Sequence, residues 1–241
     1  MGDLHDFASA IAYLSEFCCL SIDLPGHGRT QVHQDSNYQM PSVAEALIQL
    51  LNQLAIEDCL LVGYSMGGRL ALYLTVHFPQ YFRGVVLESA SPGLKTQPER
   101  DRRIARDFKL ARRLETEELS QFVRQWYANP LFKSFTLHPN YQQAIARRLS
   151  NDPYKLAKSL RYMGLGMQPS LWNLSEIQVP ILSIVGEQDF KFIAINQKIV
   201  ELCPLANLTV VKEAGHNVHF EQPEKFAQSI VHFQAWLFSS Q

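Results

Sequence analysis

The sequence lacks the features that mark several common protein classes. No apolar run approaches the roughly 18 to 20 residues that a membrane-spanning helix requires. Net charge is almost absent, since 22 basic and 23 acidic side chains give a formal charge of -1. A near-neutral chain has no excess of positive charge with which to bind nucleic acid or an acidic membrane surface. We therefore expect a small-molecule partner, with no nucleic acid and no membrane involved.

Cysteine is also scarce. The four cysteines lie in or beside apolar runs and form no C-x-x-C pair; they are Cys18, Cys19, Cys59 and Cys203. This spacing disfavours a metal site or disulfides and favours buried, reduced thiols. The N-terminus has no basic segment followed by a continuous apolar one, which a secretory signal would need. We expect a cytoplasmic protein that needs neither a metal nor a cofactor.

The sequence does contain an alternation of apolar strands and amphipathic helices. With 241 residues, of which 46% are hydrophobic, it has ample material for a core. Strand patterns occur at 18–22, 58–62, 83–88, 180–185 and 207–211, and helical spacing occurs at 6–16, 43–54, 66–78, 192–202 and 226–237. Single helices between strands imply a mostly parallel sheet flanked by helices, an α/β fold. We expect one domain over residues 1–241.

Residues 91–172 interrupt this alternation. Strand patterns disappear there, and arginines crowd the stretch 99–118. Most of these arginines are expected to form a solvated helix face. The segment leaves the sheet directly after a strand, at the edge where parallel sheets gather their active sites. We therefore expect a helical lid that folds over the site and forms a small-molecule pocket.

A serine between two glycines follows the strand pattern 58–62. The sequence G-Y-S-M-G at residues 63–67 matches the nucleophile-elbow motif, in which a serine stands on a sharp turn from strand to helix. Such a turn strains the serine backbone, and we expect a side chain at either glycine position to collide with the neighbouring strand or helix. Ser65 is therefore the candidate reactive residue, beside the free N–H groups of a helix N-terminus.

An acid and an imidazole follow two later strands. Asp189 and His216 each come just after a predicted strand, and the chain order Ser65, Asp189, His216 is that of the α/β hydrolases. In such a triad the histidine accepts the serine proton, and the aspartate fixes the imidazole tautomer and stabilises the imidazolium. His219 is an alternative base, although it lies further from the strand end and closer to the final helix.

Several motifs together resemble one family within the α/β-hydrolase superfamily. They are D-L-P-G-H-G at 23–28, G-Y-S-M-G-G-R at 63–69, P-G-L at 92–94 with the basic stretch 99–103, G-E-Q-D-F-K-F at 186–192 and A-G-H-N at 214–217. Through these motifs the chain resembles the 2-succinyl-6-hydroxy-2,4-cyclohexadiene-1-carboxylate synthases. The resemblance covers essentially the whole chain from about Asp6 onwards. The elbow and A-G-H stretches are general to α/β hydrolases; the arginines and the D-F-K-F stretch are more specific.

The resemblance implies a lyase that eliminates pyruvate in menaquinone and phylloquinone biosynthesis. It implies that Ser65, deprotonated through His216, removes a ring proton, and that the displaced charge expels pyruvate as its enol. The substrate carries several carboxylates, for which arginines are suitable partners. The substrate-binding positions implied by the resemblance are Tyr64, Met66, Arg69, Arg103, Trp126 and Arg148.

Two other functions remain open from the sequence. One is a serine hydrolase that cleaves an ester or a carbon–carbon bond in a small acidic substrate. The other is a degenerate α/β-hydrolase protein that binds a ligand without turnover. The sequence does not determine the oligomeric state.

The N-terminal region departs from the family pattern. The resemblance implies earlier strands, the last of which leads into a His-Gly loop and lies between the strands that contain Ile22 and Leu61. The chain instead opens at Met1 with no His-Gly sequence ahead of the first helix. We expect those two strands to pair directly, to leave a gap or to borrow a segment, and the oxyanion hole to keep the Met66 N–H but lose its partner donor. We hypothesise that the natural reading frame extends upstream, and we expect low stability and weak activity from a chain that truly begins here.

Overall fold

The computed structural model describes residues 1–239 of the chain. Its strands form one parallel sheet in sequence order: β1 (Cys59–Tyr64), β2 (Phe82–Glu88), β3 (Ile181–Gly186) and β4 (Ala206–Val211). Each of these strands lies within two residues of a sequence prediction. The predicted α/β fold with a parallel sheet is confirmed.

The α-helices connect the strands and cover the sheet. Before β2 lie α1 (Ala8–Ile11), α2 (Met40–Gln53) and α3 (Met66–His77). Between β2 and β3 lie α4 (Gln97–Thr116), α5 (Leu119–Tyr127), α6 (Lys133–Leu137), α7 (Tyr141–Leu149) and α8 (Pro153–Met163). After β3 come α9 (Phe190–Leu202), α10 (Val218–Glu221) and α11 (Pro223–Ser239). In the described part of the chain, no helix combines the length and apolar character needed to cross a membrane.

Strand side chains alternate between two hydrophobic layers. Val85 and Leu87 pack into the cluster formed with α2, α3 and α9, while Val86 packs into the cluster formed with α1 and α11. All three side chains are fully buried, and each contributes about 1.5–3 kcal/mol to folding. Because both faces of the sheet are covered, these strands appear in the sequence as continuous apolar runs.

The segment 91–172 is helical in all its regular structure. Its first helix, α4, begins at a capping box, where the Thr96 hydroxyl accepts from the Glu99 N–H and the Glu99 carboxylate accepts from the Thr96 N–H. This reciprocal pair satisfies two backbone donors that a helix start leaves free. The segment also contains its own buried clusters around Phe122 and Phe135.

The predicted strand at 18–22 is not part of the sheet. Within residues 1–239, β1 pairs only with β2, and residues 18–22 have no regular secondary structure and no strand partner. Leu20 and Ile22 are 52% and 40% exposed. One cavity is lined by Leu20 and Ile22 on this segment and by Leu60 and Val62 on β1. A strand requires a ladder of hydrogen bonds to a neighbour, so the structure shows a gap at this edge, one of the three expected outcomes.

The same region corrects two further predictions. The first helix, expected over residues 6–16, is only the single turn α1. Cys18 and Cys19 are exposed, although buried thiols were predicted; Cys59 is half-buried and Cys203 is buried, and all four are free thiols. Cys18 and Cys19 lie on the unpaired segment, so no neighbouring strand covers their side chains.

Close packing around the turn into α3 requires glycine at positions 63 and 68. A Cβ on Gly63 would lie 2.5 Å from the Gly67 carbonyl oxygen, and a Cβ on Gly68 would lie 2.6 Å from the Ala90 Cβ. A Cβ on Gly67 would have no described atom within 4 Å apart from its own helix and chain neighbours. The predicted collision is therefore confirmed for Gly63 and wrong for Gly67, because the helix turns its Gly68 side, rather than its Gly67 side, towards the sheet.

We expect Gly68→Ala to lower the free energy of unfolding by about 1–3 kcal/mol, because the added methyl group overpacks against Ala90. Gly67→Ala is the matched control, since the same methyl group enters open space in the same helix. Alanine is favoured over glycine there by up to about 1 kcal/mol, so the control should show no loss. Urea unfolding measures both variants. Equal destabilisation by the two substitutions would contradict this account.

Candidate active site

Ser65 stands at the turn between β1 and α3. Its backbone has φ 49° and ψ -103°, a left-handed conformation that costs a non-glycine residue roughly 1–3 kcal/mol. The Ser65 N–H donates to the carbonyl of Glu88 at the end of β2, at 2.8 Å, and the Ser65 carbonyl accepts from the Arg69 N–H at 3.0 Å. These bonds hold the strained residue at the carboxyl edge of the sheet.

Asp189 and His216 meet Ser65 at this edge. The His216 Nε2 lies 3.2 Å from the Ser65 Oγ, and the His216 Nδ1 lies 2.6 Å from the Asp189 Oδ2. The carboxylate contact assigns the proton to Nδ1, which leaves Nε2 to accept from the serine hydroxyl. The other Asp189 oxygen accepts from the Phe192 N–H at 3.3 Å and caps α9. The structure thus brings together the three side chains selected from the sequence; their catalytic roles remain a prediction.

His219, the alternative base, points elsewhere. Its Nδ1 lies 2.7 Å from the Glu88 carboxylate, and its side chain is fully buried. His216, by contrast, is the imidazole in contact with the serine hydroxyl. The geometry therefore favours His216 over His219 as the base.

A cavity of about 1080 Å³ opens beside Ser65 and extends to the gap along β1. Ser65 and His216 line it. So do all six residues predicted to bind substrate, namely Tyr64, Met66, Arg69, Arg103, Trp126 and Arg148. Asp189 is 4% exposed and contacts the far side of the His216 ring. The predicted residues therefore share one pocket, although their side chains are held in different ways.

Arg69 and Arg103 present positive charge that the protein compensates only in part. Arg69 donates from Nη1 to the Gln168 side-chain oxygen and from Nη2 to the Met163 carbonyl, both at 3.2 Å, and both acceptors are neutral. Burial, and then the nearby Arg103, lower the Arg69 pKa to about 10, so it remains charged at neutral pH. Arg103 donates from Nε to Asp107 at 2.7 Å. A ligand carboxylate can form strong charge-assisted hydrogen bonds here.

Arg148 is occupied by the protein itself. Its Nη1 and Nη2 each donate to an Asp6 oxygen at 2.8 Å, and its Nε donates to the Tyr127 hydroxyl at 3.0 Å. Burial opposes the charged form, but Tyr127 and Asp6 outweigh it and raise the Arg148 pKa above its usual range. The sequence suggested an arginine open to substrate. In this arrangement Arg148 instead ties the N-terminal segment to α7.

Tyr64 and Trp126 shape the pocket walls. The Tyr64 hydroxyl donates to the Asn217 side-chain oxygen at 2.8 Å, and its ring meets the His216 ring edge-on, with centroids 5.4 Å apart. Burial first, and Glu88 second, raise the Tyr64 pKa well above its usual value. Trp126 stacks on Phe122 with centroids 5.9 Å apart. Tyr64 thus supports the loop that carries His216, while Trp126 provides an apolar wall.

Met66 is the first residue of α3, directly after Ser65. The first N–H groups of a helix have no acceptor within the helix, and the positive end of the helix dipole favours nearby negative charge. Its side chain contacts the lid, since the Met66 sulfur accepts from the Ser159 hydroxyl at 3.9 Å. The predicted oxyanion donor is therefore at a suitable position beside Ser65.

Sequence reasoning missed several polar residues that support the site. The Gln168 side-chain oxygen accepts from Arg69. The Glu221 carboxylate accepts from the N–H groups of Gly215 and Asn217, at 2.8 and 3.3 Å. These two bonds fix the backbone on both sides of His216. No pattern pointed to Gln168. Glu221 falls in a helical stretch with no distinguishing spacing. Glu88 could have been noticed in the sequence, because it is a charged residue at the end of an apolar strand, and the structure buries this strand except at Arg83.

Comparisons with known proteins show which sequences and folds this chain is similar to. A family model for the alpha/beta hydrolase fold matches residues 1–223. A putative 2-succinyl-6-hydroxy-2,4-cyclohexadiene-1-carboxylate synthase from Bacillus subtilis is 41% identical over 225 residues, covering 89% of this chain and 80% of that protein. The structure of MenH from S. aureus superposes with a TM-score of 0.93 at 33% identity, covering 98% of this chain and 90% of that one. The chloroplastic protein PHYLLO from Arabidopsis thaliana is 36% identical over 85% of this chain, which matches only 13% of PHYLLO.

The ion pair between Asp6 and Arg148 gives a prediction about the stability of the protein. We expect Asp6→Asn to lower the free energy of unfolding at neutral pH by about 3–5 kcal/mol, because it leaves the Arg148 charge buried without its partner. Burial raises the Asp6 pKa, but Arg148 outweighs it and the folded-state pKa is lowered. The ion pair therefore stabilises the folded protein at pH values above the unfolded-state pKa of Asp6. This contribution is lost as the pH falls through the folded-state pKa of Asp6.

Urea unfolding at neutral and at acidic pH checks this prediction. The difference between the wild type and Asp6→Asn should shrink in acid. Asp101→Asn is the control, since Asp101 is exposed on α4 and such surface changes usually stay within about 0.5 kcal/mol. A difference that is constant with pH would rule out the ionised pair as its source.

Proposed function

Because the chain belongs to the 2-succinyl-6-hydroxy-2,4-cyclohexadiene-1-carboxylate synthases of the α/β-hydrolase superfamily, we propose that it performs their pyruvate elimination with Ser65, His216 and Asp189. The substrate is 2-succinyl-5-enolpyruvyl-6-hydroxy-3-cyclohexene-1-carboxylate. The products are pyruvate and 2-succinyl-6-hydroxy-2,4-cyclohexadiene-1-carboxylate, a precursor of menaquinone and phylloquinone. The chain is then a carbon–oxygen lyase built on a hydrolase fold.

The proposed chemistry is a proton abstraction followed by loss of the enolpyruvyl group. His216 accepts the Ser65 hydroxyl proton, and their 3.2 Å contact supports this transfer. The serine oxygen then takes a proton from the substrate ring. The released electron pair forms a new ring double bond while the carbon–oxygen bond to the enolpyruvyl group breaks. The imidazolium, stabilised by Asp189 at 2.6 Å, returns its proton to the departing enol.

The observation that carries the substrate class is the charge of Arg69. Two neutral acceptors hold its guanidinium, which faces the cavity of Ser65 and has Arg103 as a charged neighbour. The Asp107 carboxylate bonds to Arg103 and acts on Arg69 only through its charge. A pocket for a neutral ester has no need of this guanidinium, because burying a cation without a direct ion pair is costly. A small substrate with several carboxylates compensates it. The Met66 N–H at the start of α3 adds a donor for negative charge that develops during the reaction.

Ser65→Ala should reduce pyruvate release by at least about a hundredfold, the lower range of what a positioned base contributes. Lactate dehydrogenase coupled to pyruvate measures the rate. The substitution removes only a hydroxyl, so a thermal melt should match that of the wild type. Pyruvate release that survives Ser65→Ala unchanged would contradict the proposed mechanism, and p-nitrophenyl ester cleavage without any pyruvate release would favour a serine hydrolase.

Arg69→Met should raise KM by roughly 10- to 100-fold, since a hydrogen bond to a charged group contributes about 1.5–3 kcal/mol. Arg112→Met is the matched control, because Arg112 is an exposed lid arginine outside the cavity lining. Steady-state kinetics with the pyruvate assay compares the two, and circular dichroism checks that both fold. Equal KM changes for Arg69 and Arg112 would remove Arg69 from the binding site.

A further inference from the structure

A second acid and imidazole pair lies beside the proposed triad. The Glu88 carboxylate oxygens lie 2.7 and 2.9 Å from the His219 Nδ1, and one of them also accepts from the His219 N–H at 3.1 Å. Both side chains are completely buried. Neither has a role in the chemistry proposed above. A buried ionisable pair contributes little net stability on average, so its position calls for another explanation.

Glu88 is bonded to both halves of the reaction centre. Its backbone carbonyl accepts from the N–H of Ser65 at 2.8 Å, and Ser65 has a strained backbone with a φ of 49°. Its carboxylate holds His219 on α10, three residues after His216. One residue of β2 therefore contacts the serine turn through its main chain and the histidine loop through its side chain.

Tyr64 fills the space between the two imidazoles. Its ring centroid lies 5.4 Å from that of His216 and 4.8 Å from that of His219, edge-on to both. Its hydroxyl donates to Asn217, the residue that follows His216. Any shift of His219 is thus transmitted to His216 through a packed ring as well as along the chain.

We propose that Glu88 and His219 form a positioning pair that sets the distance between Ser65 and His216. Their Oγ to Nε2 distance of 3.2 Å is at the long end of the range for a hydroxyl hydrogen bond. A further displacement would break the contact, and a misplacement of about 1 Å in an active site costs on the order of a hundredfold in rate. The inference rests on the proposed function only for its turnover assay.

The side-chain geometry of His219 allows a selective test. Its Nδ1 carries the bond to Glu88, while its Nε2 has no hydrogen-bond partner among residues 1–239. Asparagine can place an amide N–H near the Nδ1 position, whereas glutamine places its amide nearer the Nε2 position. His219→Asn therefore keeps the bond to Glu88, and His219→Gln, which is closer to histidine in size, loses it.

The pyruvate assay should separate the two variants. We expect His219→Gln to lose roughly a hundredfold in kcat, with KM changed less than about threefold because the arginine pocket is intact. His219→Asn should recover most of this loss despite its larger cavity. The rate at which a fluorophosphonate labels Ser65 should follow the same order, and this readout does not depend on the lyase substrate. Thermal melts establish the folded fraction of each variant.

The outcomes distinguish this inference from the proposed function. Equal kcat and equal labelling for the folded fractions of His219→Gln and His219→Asn would overturn the positioning role. Normal labelling of the wild type without pyruvate release would overturn the lyase function and leave the positioning test intact. Should His219→Gln fail to fold, Glu88→Gln replaces it. That variant replaces one of the two carboxylate oxygens that lie against His219 with an amide nitrogen, and should lower kcat and labelling without raising KM. An unchanged labelling rate there would also overturn the inference.

Discussion

The positive φ of Ser65 is the constraint on which the rest of the site depends. This conformation persists only where the surroundings determine it, and here they do so through the bond to Glu88 and through the close approach of Gly63 to Gly68. The parallel sheet brings the carboxyl ends of its strands to one edge. Asp189 and His216 each follow a strand of this sheet, so strand pairing places both of them close to Ser65. The loops after β3 and β4 then direct the two side chains towards the serine.

The arginines of the pocket differ in what compensates their charge. Arg69 has neutral partners, and burial lowers its pKa to about 10. Arg148 has a carboxylate in a two-point contact, and its pKa is raised. The protein thus places a carboxylate in direct contact with one guanidinium, while the other has only neutral hydrogen-bond partners. Residue type does not distinguish these two environments; the distinction lies in Asp6, on a distant part of the chain.

The features that sequence predicted well are those that local chemistry determines. The four paired strands contain short apolar stretches, although only β2 and β3 are buried nearly throughout. These stretches predicted the strands and the sheet edge that carries Ser65. The segment 18–22 has the same composition, but a strand also needs a neighbour, and none of the described residues provides one. The need for Gly68 rather than Gly67 depends on Ala90, after β2. The state of Arg148 depends on a partner 142 residues away, and no local pattern contains such a contact.

Glu88 lies at the last rung between β1 and β2, directly beside the serine turn. In the described structure β1 is supported on one side only, by β2, with Tyr64 paired opposite Glu88 at the last rung. The other side of β1 lines the cavity. Among residues 1–239, the serine turn is held laterally by β2. Because the same residue also holds His219 through its carboxylate, the stiffness of the reaction centre is concentrated at the end of β2, and a change there reaches both the serine and the histidine.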